Sequence, residues 1–227
     1  GMASGYIGIA NIYSDQSKVS KSLEFNKKAL KIYEETNSKA GIAITLNNIA
    51  AIYFSQGNVL LAIDQYAESM AIKEELGDKK GLVSAYTNIG MIYNGEADYA
   101  KSLSFLKKAL VLSEEIVYKR GVGLVLNNLG TVYLQMNESE MALEFYMRAL
   151  HNSEQTNDKK SLGECYNFLG DYYTVMGNYK EAYSMYVFGL EFNEEIEDKG
   201  GIAIALNGFG TYWNHMGDYK KAVDYSL

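Results

Sequence analysis

The 227 residues are 48% apolar and 13% aromatic, which excludes a disordered chain. A net charge of -7 and a pI near 5.0 have the wrong sign for a nucleic-acid backbone or an anionic membrane, and neither is expected as a partner. The single cysteine, Cys165, excludes an internal disulfide, and no run of about 18 apolar residues could span a bilayer, so a cytoplasmic setting is the expectation.

Shifted by forty residues, the sequence aligns on itself from end to end without an insertion. The blocks are 1-40, 41-80, 81-120, 121-160, 161-200 and a truncated 201-227, read as one array over 1-227. Ala10, Ala50, Gly90, Gly130, Gly170 and Gly210 form one column, and Tyr13, Tyr53, Tyr93, Tyr133, Tyr173 and Trp213 another. Within block three, Tyr86, Ile89, Gly90 and Tyr93 follow the i, i+3, i+4, i+7 spacing of a helix with one buried stripe, and Leu103, Leu106, Ala109 and Leu110, at i, i+3, i+6 and i+7, mark a second such stripe. Each block therefore predicts two helices.

Between the two helices of a block a small or flexible residue turns the chain at 57-58, 97-98, 137-138, 177-178 and 217-218, where Asn58, Asp98, Asn178 and Asp218 are expected to cap the next helix. Between blocks, Glu35, Glu75, Glu115 and Glu195 each precede Lys39, Lys79, Lys119 and Lys199 by four residues, the order of an exposed i, i+4 ion pair. Glycines at 90, 130 and 170 would each cost about 1 kcal/mol against alanine in a helix, so their recurrence, opposite Ser102, Ala142 and Ala182, predicts close approach of paired helices. The chain ends partway through a second helix, and Tyr6, Ile9, Trp213, Val223 and Tyr225 are expected to form exposed terminal surface through which copies self-associate.

The columns Tyr86, Ile89, Gly90, Tyr93, Tyr99, Ser102, Leu106 and Ala109, repeated as Leu126, Leu129, Gly130, Tyr133, Ser139, Ala142, Tyr146 and Ala149, resemble the tetratricopeptide repeat. The usual proline near the end of the second helix is replaced by Glu34, Glu74, Glu114, Glu154 and Glu194, and the period is forty rather than about 34. In this longer period the chain is similar to arrays of polarity adaptors, kinesin light chains, Rap-type regulators and bacterial sensor-kinase sensory regions. The resemblance implies an all-α, right-handed superhelical solenoid of antiparallel helix pairs, about six repeats with no sheet.

Motifs for metal, nucleotide or nucleophilic chemistry are absent, so no enzyme activity and no cofactor are expected. His151 falls in an exposed column, His215 stands alone, and Cys165 shares a column of small residues that marks it as a packed thiol. The informative stripe is block positions 4, 7, 8, 11, 14 and 15, expected to line a concave surface. It carries Asn47, Asn48, Asn88, Asn127, Asn128, Asn167 and Asn207 with Met91, Leu124, Glu164 and Asp171 among them, and no lysine or arginine. An amide complements one peptide unit, so these residues are candidate peptide contacts. Solvated amides, or amides bonded between repeats, are the other reading. In families of this kind, asparagines in the column of Asn48, Asn88 and Asn128 hold a peptide backbone, which the resemblance extends to this chain.

The expected function is a non-enzymatic protein- or peptide-binding scaffold. Its ligand lacks an anchoring carboxylate, presents apolar side chains along Ile44, Phe54, Met91, Leu124 and Leu134, and places a lysine or arginine near Glu164 and Asp171. The alternative is the sensory or regulatory segment of a larger signalling protein, such as a histidine kinase, a cyclase or a transcription regulator.

Overall fold

A computed structural model describes residues 1-225, all of them in helices or short turns. The chain divides into two compact units, Gly1–Leu112 and a second beginning at Ser113. The first unit carries α1 (Met2–Asp15), α2 (Val19–Glu35), α3 (Lys39–Ser55), α4 (Val59–Leu76), α5 (Lys79–Gly95) and the body of α6 (Tyr99–Glu115). The second carries α7 (Lys119–Gln135), α8 (Ser139–Thr156), α9 (Lys159–Val175), α10 (Tyr179–Glu195), α11 (Lys199–His215) and α12 (Tyr219–Tyr225). Without proline in the Glu34 to Glu194 column, α4 runs on to Leu76 and α8 to Thr156.

Every link between helices is built the same way. A residue just past the helix takes the left-handed conformation, and the next N–H reaches back five residues to close the last turn. Asn58 N donates to Tyr53 O at 2.9 Å and Asn178 N to Tyr173 O at 2.9 Å. Gly177 adopts φ 76° at no steric cost, but the same position is filled by Ala97 at φ 58°, Val117 at φ 53° and Glu197 at φ 55°.

Two expectations for these links need correction. Asp98 and Asp218 do cap, accepting from Lys101 N at 3.1 Å and Lys221 N at 3.2 Å, whereas Asn58 and Asn178 make no side-chain cap. An aspartate offers two equivalent acceptors and a negative charge to the positive end of the helix; an asparagine offers one neutral acceptor. Asp78, Asp158 and Asp198 also cap their helices. The i, i+4 pairing of Glu35 with Lys39 is not formed, because the chain leaves the helix between them. Lys39 instead pairs with Glu75 and Lys159 with Glu195, one repeat further on, while Glu35 lies 4.0 Å from Lys31.

Within each pair the first helix presses its small residue against the second. A Cβ added at Gly90 would lie 2.8 Å from Leu106, and one at Gly130 would lie 2.6 Å from the Tyr146 ring. Ser102 is met as expected, its carbonyl 3.3 Å from the Gly90 position, but the nearest obstacle is one turn beyond Ser102 and Ala142, at a column that reads Asn26, Tyr66, Leu106, Tyr146 and Tyr186. The column of Tyr13 has its own partner. Tyr13 stacks on Phe25, Tyr93 on Phe105 and Tyr133 on Phe145, with centroids 5.5, 5.7 and 5.2 Å apart. Of the residues expected at the array ends, Ile9, Val223 and Tyr225 are exposed, while Tyr6 and Trp213 are half-buried, Tyr6 against Phe25 and Trp213 beneath Lys221.

Candidate functional site

In the second unit, α9 and the start of α11 enclose a pocket of about 500 Å³ lined by Lys160, Glu164, Asn167, Phe168, Asp171, Asp198 and Ile204. Glu164, Asn167 and Asp171 lie at i, i+3 and i+7 on α9, so one helical face delivers all three. Asn167 forms the floor: it is buried, and its Nδ2 donates to Gly201 O at 3.1 Å, fixing α11 against α9. Asp171 accepts from the Tyr186 hydroxyl at 2.8 Å.

Three carboxylates face one ammonium here, and the ammonium is already committed, Lys160 lying 2.9 Å from Asp198. That contact, with the backbone N–H groups of Gly201 and Gly200, holds the Asp198 carboxyl below the usual range. Glu164 and Asp171 shift the other way. Burial pushes both carboxyls up, only partly opposed by Lys160 and Arg120 for Glu164 and by the Tyr186 hydroxyl for Asp171. The pocket thus holds two poorly compensated carboxylates between the apolar Phe168 and Ile204.

Lys160 and Asp198 escaped the sequence reading because they belong to the charged links. They are 38 residues apart, close to one period, which is the signal that places equivalent turns of successive repeats side by side.

The remaining stripe residues divide by block position. At position 7, Asn127 is buried and donates to Cys165 Sγ at 3.4 Å, just as Asn167 donates to the next repeat. The Oδ1 atoms of both have no partner among the described residues. In the first unit, Asn47 Oδ1 accepts from Lys73 Nζ at 3.3 Å. The stripe itself has no cation, yet a buried one reaches it from α4, its ammonium pushed down by burial. At position 8, Asn128 donates to Leu124 O at 3.0 Å, Asn88 is hydrogen-bonded to the Tyr66 hydroxyl, and Asn48 lines a smaller cavity. Asn48, Asn88 and Met91 are half-buried, while Leu124 and Asn207 are exposed.

Among the described residues, no group of His, Cys, Asp and Glu could hold a metal ion, and no helix is long and apolar enough to cross a membrane. Cys165 is buried as expected, and burial pushes its thiol up. His151 is exposed.

The profile of the tetratricopeptide repeat family matches residues 1-75 and 81-155. No curated protein matches the chain. Among solved structures, the chain is similar to BtubC (BKLC) from P. vanneervenii, with 20% identity over 92% of this chain and 85% of that one and a TM-score of 0.65. It is similar to the apo form of RapI, with 17% identity over 99% and 80% of the two chains and a TM-score of 0.73. A Rap protein complexed with competence and sporulation factor shares 14% identity over 97% and 71%, with a TM-score of 0.75. At these identities the likeness carries the fold: an all-α solenoid of helix pairs.

Proposed function

This chain belongs to the tetratricopeptide repeat family, and from that premise we propose that it is a non-enzymatic scaffold binding an extended peptide with a basic side chain. The pocket of the second unit carries the reading. Glu164 and Asp171 supply negative charge that the nearby cations only partly offset, and Phe168 and Ile204 supply walls for the methylene stem of a lysine or arginine. The Rap protein complexed with competence and sporulation factor supports a binding role for the fold.

The amides have separate tasks in this reading. Asn127 and Asn167 tie repeats together with their donors, and Asn47 holds Lys73. In the first unit Asn48 and Asn88, with Met91 beside them, and in the second Asn128 and the exposed Asn207, with Leu124 beside them, each meet a ligand main chain and its apolar side chains. Each lost contact costs about 1 to 2 kcal/mol, the range for leaving a buried peptide group unpaired.

Calorimetry with a capped hexapeptide of leucines around one lysine tests the reading against the same peptide with glutamate in place of lysine. The lysine peptide binds the parent chain, and Glu164→Lys inverts the preference. Equal binding of both peptides, or indifference to Glu164→Lys, overturns it.

A further inference from the structure

The column Asn26, Tyr66, Leu106, Tyr146 and Tyr186 holds a tyrosine in three of its five members, and the structure shows how that tyrosine is received. Tyr186 is 1% exposed, its ring wedged between Gly170 of its own repeat and Gly208 at position 8 of the next. Its hydroxyl meets position 11 through Asp171 at 2.8 Å and position 14 through Thr174 at 3.1 Å. Tyr146 meets position 11 through Thr131 at 3.2 Å. Tyr66 is hydrogen-bonded to position 8 of the following repeat through Asn88. The receiving groups of a column tyrosine are therefore positions 11, 14 and the next repeat's 8.

In the first repeat the column residue is Asn26, shorter by most of an aromatic ring. A cavity of about 200 Å³ lies there, walled by Asn11, Ser14, Ser22, Asn26, Asn48 and Ile52. Asn11, Ser14 and Asn48 are positions 11, 14 and the next repeat's 8. Asn26 is 1% exposed, and its Nδ2 donates back to Ser22 O at 3.0 Å. Its Oδ1 is buried without a hydrogen-bond partner among the described residues. A neutral amide oxygen left this way has lost its hydration without replacement, and a donor entering the cavity restores the missing bond. Asn11, Ser14 and Ser55 at the mouth are exposed, so the cavity opens to solvent. An apolar cavity of about 150 Å³ already admits benzene, so the volume suits a ring.

We propose that this cavity is a receptor for a para-substituted phenol, namely a tyrosine side chain presented by a partner chain, which enters from the solvent side and fills the space that the rings of Tyr146 and Tyr186 fill in their own repeats. The ring stacks its faces against α1 and α3, and its hydroxyl donates to the Asn26 oxygen or to Asn11. This site is separate from the acidic pocket of the second unit and does not rest on it.

The test is calorimetry on the full chain with p-cresol and toluene, two rings of the same shape that differ by one hydroxyl. The parent chain binds p-cresol saturably and at least about 10-fold more tightly than toluene, since a site built to bond a hydroxyl rejects the analogue lacking it. Asn26→Tyr fills the cavity from within and abolishes p-cresol binding. Asn26→Leu, which copies the apolar filling by Leu106, does the same without a hydroxyl and stands in should the first variant fail to fold. Toluene binding as well as p-cresol, or p-cresol binding that survives both fillings, overturns the proposal. Capped Gly-Tyr-Gly competes with p-cresol where capped Gly-Phe-Gly does not. Binding of p-cresol with the tyrosine peptide excluded assigns the cavity to a free small phenol and overturns the side-chain assignment.

Discussion

The Tyr186 hydroxyl reaches 2.8 Å across to Asp171 Oδ1, joining the core column of α10 to the rim of the pocket on α9. The bond makes one residue part of both the packing and the site. It also keeps a carboxylate in a place where burial works against its charge.

A carboxyl whose folded-state pKa lies above its unfolded value binds its proton more readily when folded, so its ionised form opposes folding at neutral pH. That opposition is full above the folded pKa and fades as pH falls through it. Glu164→Gln and Asp171→Asn are therefore expected to raise the melting temperature at pH 7 by roughly 1 to 3 °C, and to lose that advantage below the ordinary carboxylate range. Melting curves at pH 7 and about pH 3 check this. A variant less stable than the parent at pH 7 contradicts it.

Cation binding at the pocket should follow the opposite course. The lysine hexapeptide needs Glu164 and Asp171 ionised, and both carboxyls are pushed up, so affinity is expected to decline from above the usual carboxylate range downward. Titrations between pH 7 and pH 5 read this directly, with Glu164→Gln flattening the profile.

Gly130→Leu is expected to destabilise the second unit by about 1 to 3 kcal/mol or more, because any Cβ there already lies 2.6 Å from the Tyr146 ring. Lys119→Ala, an exposed lysine at the start of α7, is expected to stay within about 0.5 kcal/mol. Denaturant midpoints that match for the two variants would show that the helix pair is not packed in this way.

Val117 is 72% exposed and left-handed at φ 53°, a conformation that β-branched residues resist and for which its side chain gains no packing. Val117→Gly is expected to stabilise by about 1 kcal/mol, a rise of about 2 to 4 °C for a chain of this size. A fall in melting temperature counts against it.

Cys165 is 1% exposed, and burial pushes its thiol up. Its modification by an aromatic disulfide reagent is expected to track unfolding, with no fast phase in native buffer.

The repeat, the two helices per block and the small-residue contacts were legible because period and volume are one-dimensional properties of the text: Gly90, Gly130 and Gly170 announce a close neighbour wherever they recur. The capping pattern was half legible, since Asp98 and Asn58 share a column but differ in charge and in the number of acceptors. The ion pair expected between Glu35 and Lys39 was misplaced for a geometric reason. Glu35 and Lys39 are four apart in sequence, but the helix has already ended, and proximity passes to Glu75 in the next repeat. The stripe of asparagines was visible, whereas the direction of each amide was not, because whether Asn127 turns toward Cys165 or toward solvent depends on the neighbouring repeat. Lys73 was hidden for the same reason, arriving at Asn47 from the other helix of the pair.

The amides of Asn127 and Asn167 have an evolutionary corollary. Asn127 and Asn167 each carry a donor whose acceptor, Cys165 Sγ or Gly201 O, is encoded 38 or 34 residues downstream, in the next repeat. Duplication or deletion of a single block by unequal recombination would keep the reading frame and the fold type, and Asn167 would meet a main-chain carbonyl at the start of any block, but Asn127 would find its sulfur only where the block carrying Cys165, the one cysteine, follows it. Such repeats are alike enough to be copied but not interchangeable in order, and a lineage that shuffles them must then re-evolve the seam.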